Sequence, residues 1–481
     1  MDIVSLLEGF VNDLFEAEAK FYQNPKDFCT LETNVKSMTE AFAASFLSEC
    51  LTSINQEIYD DGLRKTKFVA QRRDKRTLIT SVGDVVFEST YYRKKADDSY
   101  HYLTEELIGL GKHERFSECA EAVILGEALK TSYAEAAKVL PSKQEITKTT
   151  VMNKVHKIAR EIPCPESSEK KKCKYLFVEA DEDHVAEQHG RWNKKEENSS
   201  FISKLAYVYE YKQDNPKVKG RKELVNTFYF SGVYEGSKEN RRFWENVDTF
   251  IENNYDTEEL EQVFISGDGA SWIKSGTDYV YKGLFCVDKY HTMKYINAAA
   301  NQMLDEKEIA KSELYRMIYK RSKKGMRQYI NKMLHSANNT EPVEKLESFM
   351  MNHWDAIMRT YHNPIVSGCS AESHVSHILS DRLSSRPMGW SQRGADRMSK
   401  LRCYEKNYGR EKIIELVKYS RERKKLARTG TDCKEEIHLT VRLATKEHHD
   451  AVKGYIDRIQ ATIPGLTARK SFAIREQIRL I

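Results

Sequence analysis

The sequence predicts a multidomain α/β plus α protein, with a mixed sheet set among helical regions. Three observations point there. The chain has 481 residues, more than one core of the usual ~100–200 residues holds, so two to four domains are expected. Five strand-like runs crowd into residues 175–291, with one long amphipathic segment among them. On both sides of that stretch the apolar residues recur at helical spacing.

Residues 1–75 carry Ile3, Leu6, Leu7, Phe10, Val11 and Leu14, then Phe42, Phe46 and Leu51, which reads as two or three amphipathic helices and a candidate oligomerisation unit. Residues 76–108 contain "RTLITSVGDVVFESTYYRK", alternating and rich in β-branched and aromatic residues, so a hairpin turning at Gly83-Asp84 is expected. In 109–165 helical spacing returns. The stretch "TSYAEAAKVLPSKQEITKTTVMNKVHKIAREI" has the shape of a helix-turn-helix, broken at Pro141 and resumed at Thr147. Val151, Val155 and Ile158 would face inward, leaving Lys148, Thr150, Asn153, Lys154 and Lys157 outward, as a recognition helix presents such residues to a DNA major groove. A plain helical pair is the alternative, because the break is longer than the usual turn.

After the charged linker "CPESSEKKKCK" the pattern becomes strand-like in "KYLFVEADEDHVA", "KLAYVYEY", "NTFYFSGVYE", "QVFISGDGASW" and "KGLFCVDKYH". The helical "KENRRFWENVDTFIENNY" lies between the third and fourth runs, which suggests a mixed sheet over 175–291. Residues 292–366 revert to helices, 367–410 hold "GCSAESHVSHILSDRLSSRPMGW", and 411–481 form a basic helical C-terminal region.

Charge does not settle a partner by itself: 77 basic residues face 72 acidic ones, a net +5. Clustering is more telling, since basic residues dominate from Arg382 to Arg428, an excess of the kind that tracks phosphates. The nine Cys form no CxxC pair, which argues against a disulfide framework and a ribbon-type zinc site. The N-terminus carries acids where a signal peptide carries bases, and no apolar run approaches the ~18–20 residues a bilayer requires. A soluble cytoplasmic protein, outside any membrane, is expected.

Two strand-like runs end in acids. Glu179, Asp181 and Asp183 alternate and so share one strand face, and Asp268 stands between two glycines at a strand end. Each has an ordinary reading, a solvated edge strand for the first and a helix-capping turn for the second. Together they suit a Mg²⁺ site, because Mg²⁺ takes hard carboxylate oxygens and leaves positions for water and phosphate. A pair of such ions, about 4 Å apart, can drive an in-line phosphodiester displacement. Glu372 is the candidate third carboxylate. On a helix over 371–383 it sits in the first turn beside Val375, Leu379 and Leu383, so either an inward carboxylate or a favourable charge at a helix N-terminus fits. His374 and His377, near Cys369, raise a weak zinc alternative. Asp288 and His291 lie three apart at a strand-to-helix junction, placed to brace the sheet or to contact DNA.

Read together, "VEADEDHVA", "ISGDGASWIK", "FCVDKYHTMKYI" and the 368–390 block resemble the ISLre-type bacterial insertion-sequence transposases of the DDE superfamily, from the hairpin near residue 80 to about residue 428. The resemblance implies a ribonuclease-H-like sheet with an all-helical insertion before the helix of the last acid. It makes Asp181, Asp268 and Glu372 the catalytic, metal-binding acids, with Asp183, Asp288 and His291 in support. Glu179 and Asp183 share the strand face of Asp181, so a shift of two residues along the strand would preserve the geometry. The implied cofactor is two Mg²⁺ ions, Mn²⁺ substituting, and the implied partner is double-stranded DNA, both terminal inverted repeats and target. Arg382 and Arg386 would hold phosphates, and Trp390 would stack on an unpaired base or fill a core. Holding two DNA ends calls for a homodimer or larger, nucleoid-associated assembly. The competing expectations are a DNA-binding relative without catalysis, and a nuclease of this fold acting on another nucleic acid.

Overall fold

The computed structural model describes residues 3–188, 199–386 and 388–428. These fall into two compact units: one holds the described residues up to Lys154 and those from Ile413 onward, the other runs from Val155 to Lys412.

In the first unit α1 (Ile3–Gln23) and α2 (Phe28–Asp60) pair through apolar side chains, with Phe10 stacked on Phe42 at 4.6 Å. Asp27 caps α2 by accepting the Thr30 N–H. The buried Asn55 fixes α2 to the sheet beneath: its Oδ1 accepts from Thr90 N (2.8 Å) and the Thr104 hydroxyl (3.1 Å). After α3 (Gly62–Lys67) come β1 (Phe68–Thr80), β2 (Gly83–Lys94) and β3 (Tyr100–Tyr102), a sheet in that order with antiparallel neighbours. The strand thus begins at Phe68, inside the stretch expected to be helical to residue 75.

The hairpin turn also differs from expectation. Thr80 pairs with Gly83, so Ser81-Val82 make the turn rather than Gly83-Asp84. Gly83 is needed one step later, where its φ of +126° suits only glycine. Asp84 is withdrawn from the turn because its carboxylate accepts from the Ser142 hydroxyl (2.6 Å) and Lys143 N (2.9 Å). Then follow α4 (Leu103–Leu107), α5 (Glu118–Ala128), α6 (Tyr133–Ala136) and α7 (Lys148–Ile158). Ser117, Ser132 and Thr147 cap α5, α6 and α7, and Val151, Val155 and Ile158 are buried as their spacing predicts.

The second unit is built on β4 (Tyr175–Ala186), β5 (Ser200–Tyr209), β8 (Phe228–Gly232), β9 (Gln262–Gly267) and β10 (Gly283–Val287), in the spatial order β10-β9-β4-β5-β8. The first three run antiparallel in succession, and β9 and β10 return parallel to β4. A small ribbon of β6 (Tyr211–Asp214) and β7 (Lys222–Val225), unforeseen because its residues are mostly polar, interrupts the series. Helix α8 (Gly236–Asn254) buries Phe243, Trp244, Val247 and Ile251 against Leu176, Val178 and Ala180 on one face of β4. The short α9 (Ser271–Lys274) follows β9, and the Trp244 indole donates to Trp272 O at 2.7 Å.

Beyond β10, α10 (Lys289–Ala300), α11 (Lys307–Tyr319), α12 (Lys323–Ser336) and α13 (Glu341–His362) form the helical insertion. Thr360 and Arg359 of α13 donate to Val287 O (2.6 Å) and Phe285 O (2.9 Å), tying the insertion to the sheet. The chain then crosses the other sheet face as α14 (Ala371–Val375), a π turn over 376–380 and α15 (Asp381–Leu383), followed by α16 (Gln392–Tyr408).

The last described helix, α17 (Ile413–Arg428), belongs to the first unit, where Arg421 reaches Glu121 at 2.8 Å; residues 429–481 of the expected basic C-terminal region lie outside the described residues. Lys154 meets the same fully buried Glu121 at 3.2 Å and lies over the Phe116 ring. It is therefore an inward residue, not part of an outward DNA-reading row, because a buried carboxylate demands paired cations. Lys154→Ala is expected to cost about 1–3 kcal/mol, since the buried Glu121 loses one of its paired cations, whereas the exposed Lys148→Ala should stay within about 0.5 kcal/mol; urea unfolding of both variants checks this.

Candidate active site

The site follows from the pairing of three parallel strands. Glu179 pairs with Ser266, and Val287 with Gly267. Continued past the strand ends, this register sets Asp181, Asp268 and Asp288 side by side at the carboxyl edge, the usual ligand edge of an open sheet. Alternation gives all three the same face, the one bearing Phe177, Phe264 and Cys286. Asp288 N donates to Gly267 O at 3.0 Å, which holds the third member in line. Gly267 is closed to any side chain: a Cβ there would lie 2.8 Å from Ala180 O.

The electrostatics agree with this proximity. Burial pushes the Asp181 carboxyl up to about 6; the Glu182 N–H and His291 oppose the rise, and the charges of Asp268 and Asp288 add to it. His291 gives one ring nitrogen, Nδ1, to Asp288 Oδ2 (2.7 Å), and Asp288 caps α10 by accepting His291 N (2.6 Å). Burial lowers the His291 basicity, but the bonded Asp288 and the nearby Asp268 and Asp181 outweigh it and hold the imidazole above its usual range. The arrangement is a half-buried, carboxylate-rich edge with too little positive charge of its own.

The two acids that flank Asp181 on the same face of β4 are both hydrogen-bonded. Glu179, 2 % exposed, accepts from the Tyr209 hydroxyl (2.7 Å), Lys212 (2.7 Å), Ser370 N (2.6 Å) and the Tyr207 hydroxyl. Asp183 accepts the hydroxyls of Ser380 (3.0 Å) and Ser384 (2.9 Å). The helical segment of Glu372 is thus fastened to β4 on both sides of Asp181, and Glu372 lies in its first turn, exposed.

His374 is tucked beneath. Its Nδ1 meets the Tyr229 hydroxyl at 3.0 Å and its ring packs on Tyr207, while burial above all brings it down to about 4. It supports the helix and is not placed as a metal ligand. Among the described residues no three His, Cys, Asp or Glu side chains gather as a ready-made metal cage. The donor set still fits a hard divalent cation, because Mg²⁺ is held by one or two carboxylates together with water and substrate phosphate.

Two further residues frame Asp268. Gly269 has φ +103°, and a Cβ there would come 3.0 Å from the His353 ring on α13, so the insertion closes against the site. Burial and Lys274 lower the His353 basicity, against Asp268. No local motif marks His353, which is why the sequence did not disclose it.

The nucleic-acid candidates divide. Lys148 and Asn153 are exposed, Lys157 is half-buried, and Thr150 shares a 3.0 Å hydrogen bond with Thr147. Arg382 is 3 % exposed, with its guanidinium over the Trp390 ring at 4.7 Å, and Trp390 is itself buried and bridged to Glu187. Of the three residues expected at the cut strand, only Arg386 is exposed; Trp390 takes its core alternative.

Fold and site define a mixed α/β protein with a carboxylate row at the parallel edge of its sheet. A family model described as "Uncharacterised protein family (UPF0236)" matches residues 22–420, and the chain belongs to that family. A relative from Caldanaerobacter subterraneus subsp. tengcongensis, a UPF0236 protein whose name joins eleven gene designations, is 31% identical over 414 residues, covering 85% of this chain and 84% of its own. A second from the same organism, whose name joins four designations, is 30% identical over 413 residues, with 85% and 84% covered. Among solved structures, the Drosophila P element transposase strand transfer complex matches 76% of this chain and 92% of its own at 12% identity, with a TM-score of 0.22. A likeness that loose carries no weight for fold or function.

The raised Asp181 carboxyl makes stability depend on pH. The folded state holds this proton more tightly than the unfolded chain, whose carboxyl titrates near 3.8, so its contribution is full below that value and is lost as pH rises through about 6. Asp181→Asn, a mimic of the protonated form, is expected to gain about 2–3 kcal/mol at pH 7.5 and nothing at pH 4. Thermal unfolding across that range measures it. Mg²⁺ at pH 7.5 should raise the melting temperature of the unchanged protein and not that of the variant.

Proposed function

We propose that the protein is a DDE transposase of a bacterial insertion sequence, of the ISLre type that its motifs resemble. The observation that carries the reading is the in-register row of Asp181 and Asp268, with the helix of Glu372 fastened over it from both sides. Three antiparallel strands followed by two parallel ones, with a helical insertion before the last acid, is the layout that a ribonuclease-H-like transposase requires. The relatives lend independent support. One protein designated at eleven loci of one genome is what an element that copies itself leaves behind.

In this reading Asp181, Asp268 and Glu372 would hold two Mg²⁺ ions, whose chemistry there would be to activate water or a 3′-hydroxyl and to stabilise the leaving oxygen of a phosphodiester. The chain's own residues do the rest. The negative charges of Asp268 and Asp288 beside Asp181 are ones a bound cation would relieve, and Asp288 accepts a hydrogen bond from His291 at the same edge. The exposed Lys148 and Asn153 of α7, the half-buried Lys157, and the exposed Arg386 offer contacts to the DNA of the element's ends.

Three substitutions test the acids. Asp181→Ala, Asp268→Ala and Glu372→Ala should each lower cleavage of terminal-repeat DNA in Mg²⁺ or Mn²⁺ by at least about 10³-fold while leaving DNA binding intact. Normal cutting by Glu372→Ala would remove it from the site, and binding without cleavage by the unchanged protein would leave a DNA-binding protein only. For α7, Lys148→Ala should weaken binding to all sequences alike and lower the salt-dependence slope by about one, measured by titration at several salt concentrations.

A further inference from the structure

The face of β4 that carries Asp181 holds three acids in alternation, and the two flanking ones have no free role at the edge. Glu179 sits fully inside a ring of donors, five in number: Tyr207, Tyr209, Lys212, and both the amide and the hydroxyl of Ser370. Lys212 also donates to Gly368 O, so one buried ion pair grips the chain at two points just ahead of Glu372. Ten residues past Ser370 the helix is gripped again, by Asp183 through Ser380 and Ser384. Between the grips the helix contains a π turn at 376–380, a distortion that often accompanies functional sites because it re-aims side chains along one helix.

We propose that Glu179 and Asp183 are positioning residues: clamps that set the helix of Glu372 in register over Asp181, with Glu179 fixing its first turn. The proposal rests on Glu372 being the third acid. Neither clamp touches the reacting phosphate. Their chemistry explains why acids are used. A buried carboxylate accepts several strong hydrogen bonds at once, and the donors here come from three stretches of chain, so one side chain fixes β5, the start of β6 and the turn before α14 together. A neutral residue of the same size would meet the hydroxyls but leave the half-buried Lys212 without its counter-charge.

The test uses the full-length protein, with Glu179→Gln, the charge-balanced pair Glu179→Gln with Lys212→Met, and Ser380→Ala with Ser384→Ala. Two readings are taken on each. Hydrogen exchange followed by mass spectrometry should show residues 368–384 exchanging at least tenfold faster, with β4 and β9 as protected as before; this needs no activity. Single-turnover cleavage at saturating DNA should fall about 10–100-fold with the DNA dissociation constant unchanged, and the Mg²⁺ concentration for half-maximal rate should rise, so that high Mn²⁺ restores part of the rate.

Unchanged exchange and cleavage in the Glu179 variants, while Glu372→Ala is inactive, would overturn the clamp and leave the third acid standing. Complete loss in Glu179→Gln that no metal concentration restores, with exchange unaltered, would also overturn it by making Glu179 a ligand. If Glu372→Ala cuts normally, Glu372 leaves the site and the positioning role proposed for the clamps falls with it, whereas faster exchange in 368–384 still reports the mechanical tie. The double serine variant removes only two hydroxyls, so it keeps the test open should the Glu179 variants fail to fold.

Discussion

The parallel pairing of β4 with β9 is the contact on which the second unit depends. It sits at the centre of a five-stranded sheet, where the antiparallel half of the sheet meets the parallel half. Once Val178 stands opposite Ile265, the inner core is set, because both face α8 together with Val263 and Leu176. The same register carries one face of acids to the edge, since a strand alternates and cannot place its core residues without placing its acids too. A slip of one residue would bury Asp181 against Trp244 and expose Val178, which no helix packing could tolerate.

Burial then assigns different work to chemically identical groups. Glu179 is deep, and burial raises it, yet Lys212 and the surrounding donors more than compensate and keep it ionised below its usual range. Asp181 is half-buried, meets one backbone N–H, and faces other acids, so it ends well above the usual carboxylate range. The contrast comes from neighbours: of the three acids on that face, Asp181 alone lacks a cation or side-chain hydroxyl bonded to it among the described residues.

The helical insertion is more than a spacer between β10 and α14. Its last helix reaches back to the sheet through Thr360 and Arg359, and His353 packs where Gly269 has no side chain. Gly269 is thus required twice, for a left-handed turn after Asp268 and for the room that a ring from the insertion occupies. In the first unit Glu121 plays a comparable organising part, gathering Lys154 from α7 and Arg421 from α17 around one buried carboxylate.

The sequence by itself determined the kinds and order of the main elements: alternation marks the five sheet strands, helical spacing marks the insertion, and Asp268 and Asp288 stand where strands stop. It misplaced the hairpin turn, because Ser81-Val82 is a weaker turn signal than Gly83-Asp84 and the needed glycine comes one step later. It turned Lys154 outward, because helical periodicity shows which face is polar and not whether a buried acid waits there. It could say that Glu179, Asp181 and Asp183 share a face, but not which one is left available. Only the tertiary structure decided that, through Ser370, 191 residues from Glu179, and Ser380 and Ser384, 197 and 201 residues from Asp183. Strand parity is local and can be read along the chain; the partner that satisfies a buried charge comes from wherever the fold brings it.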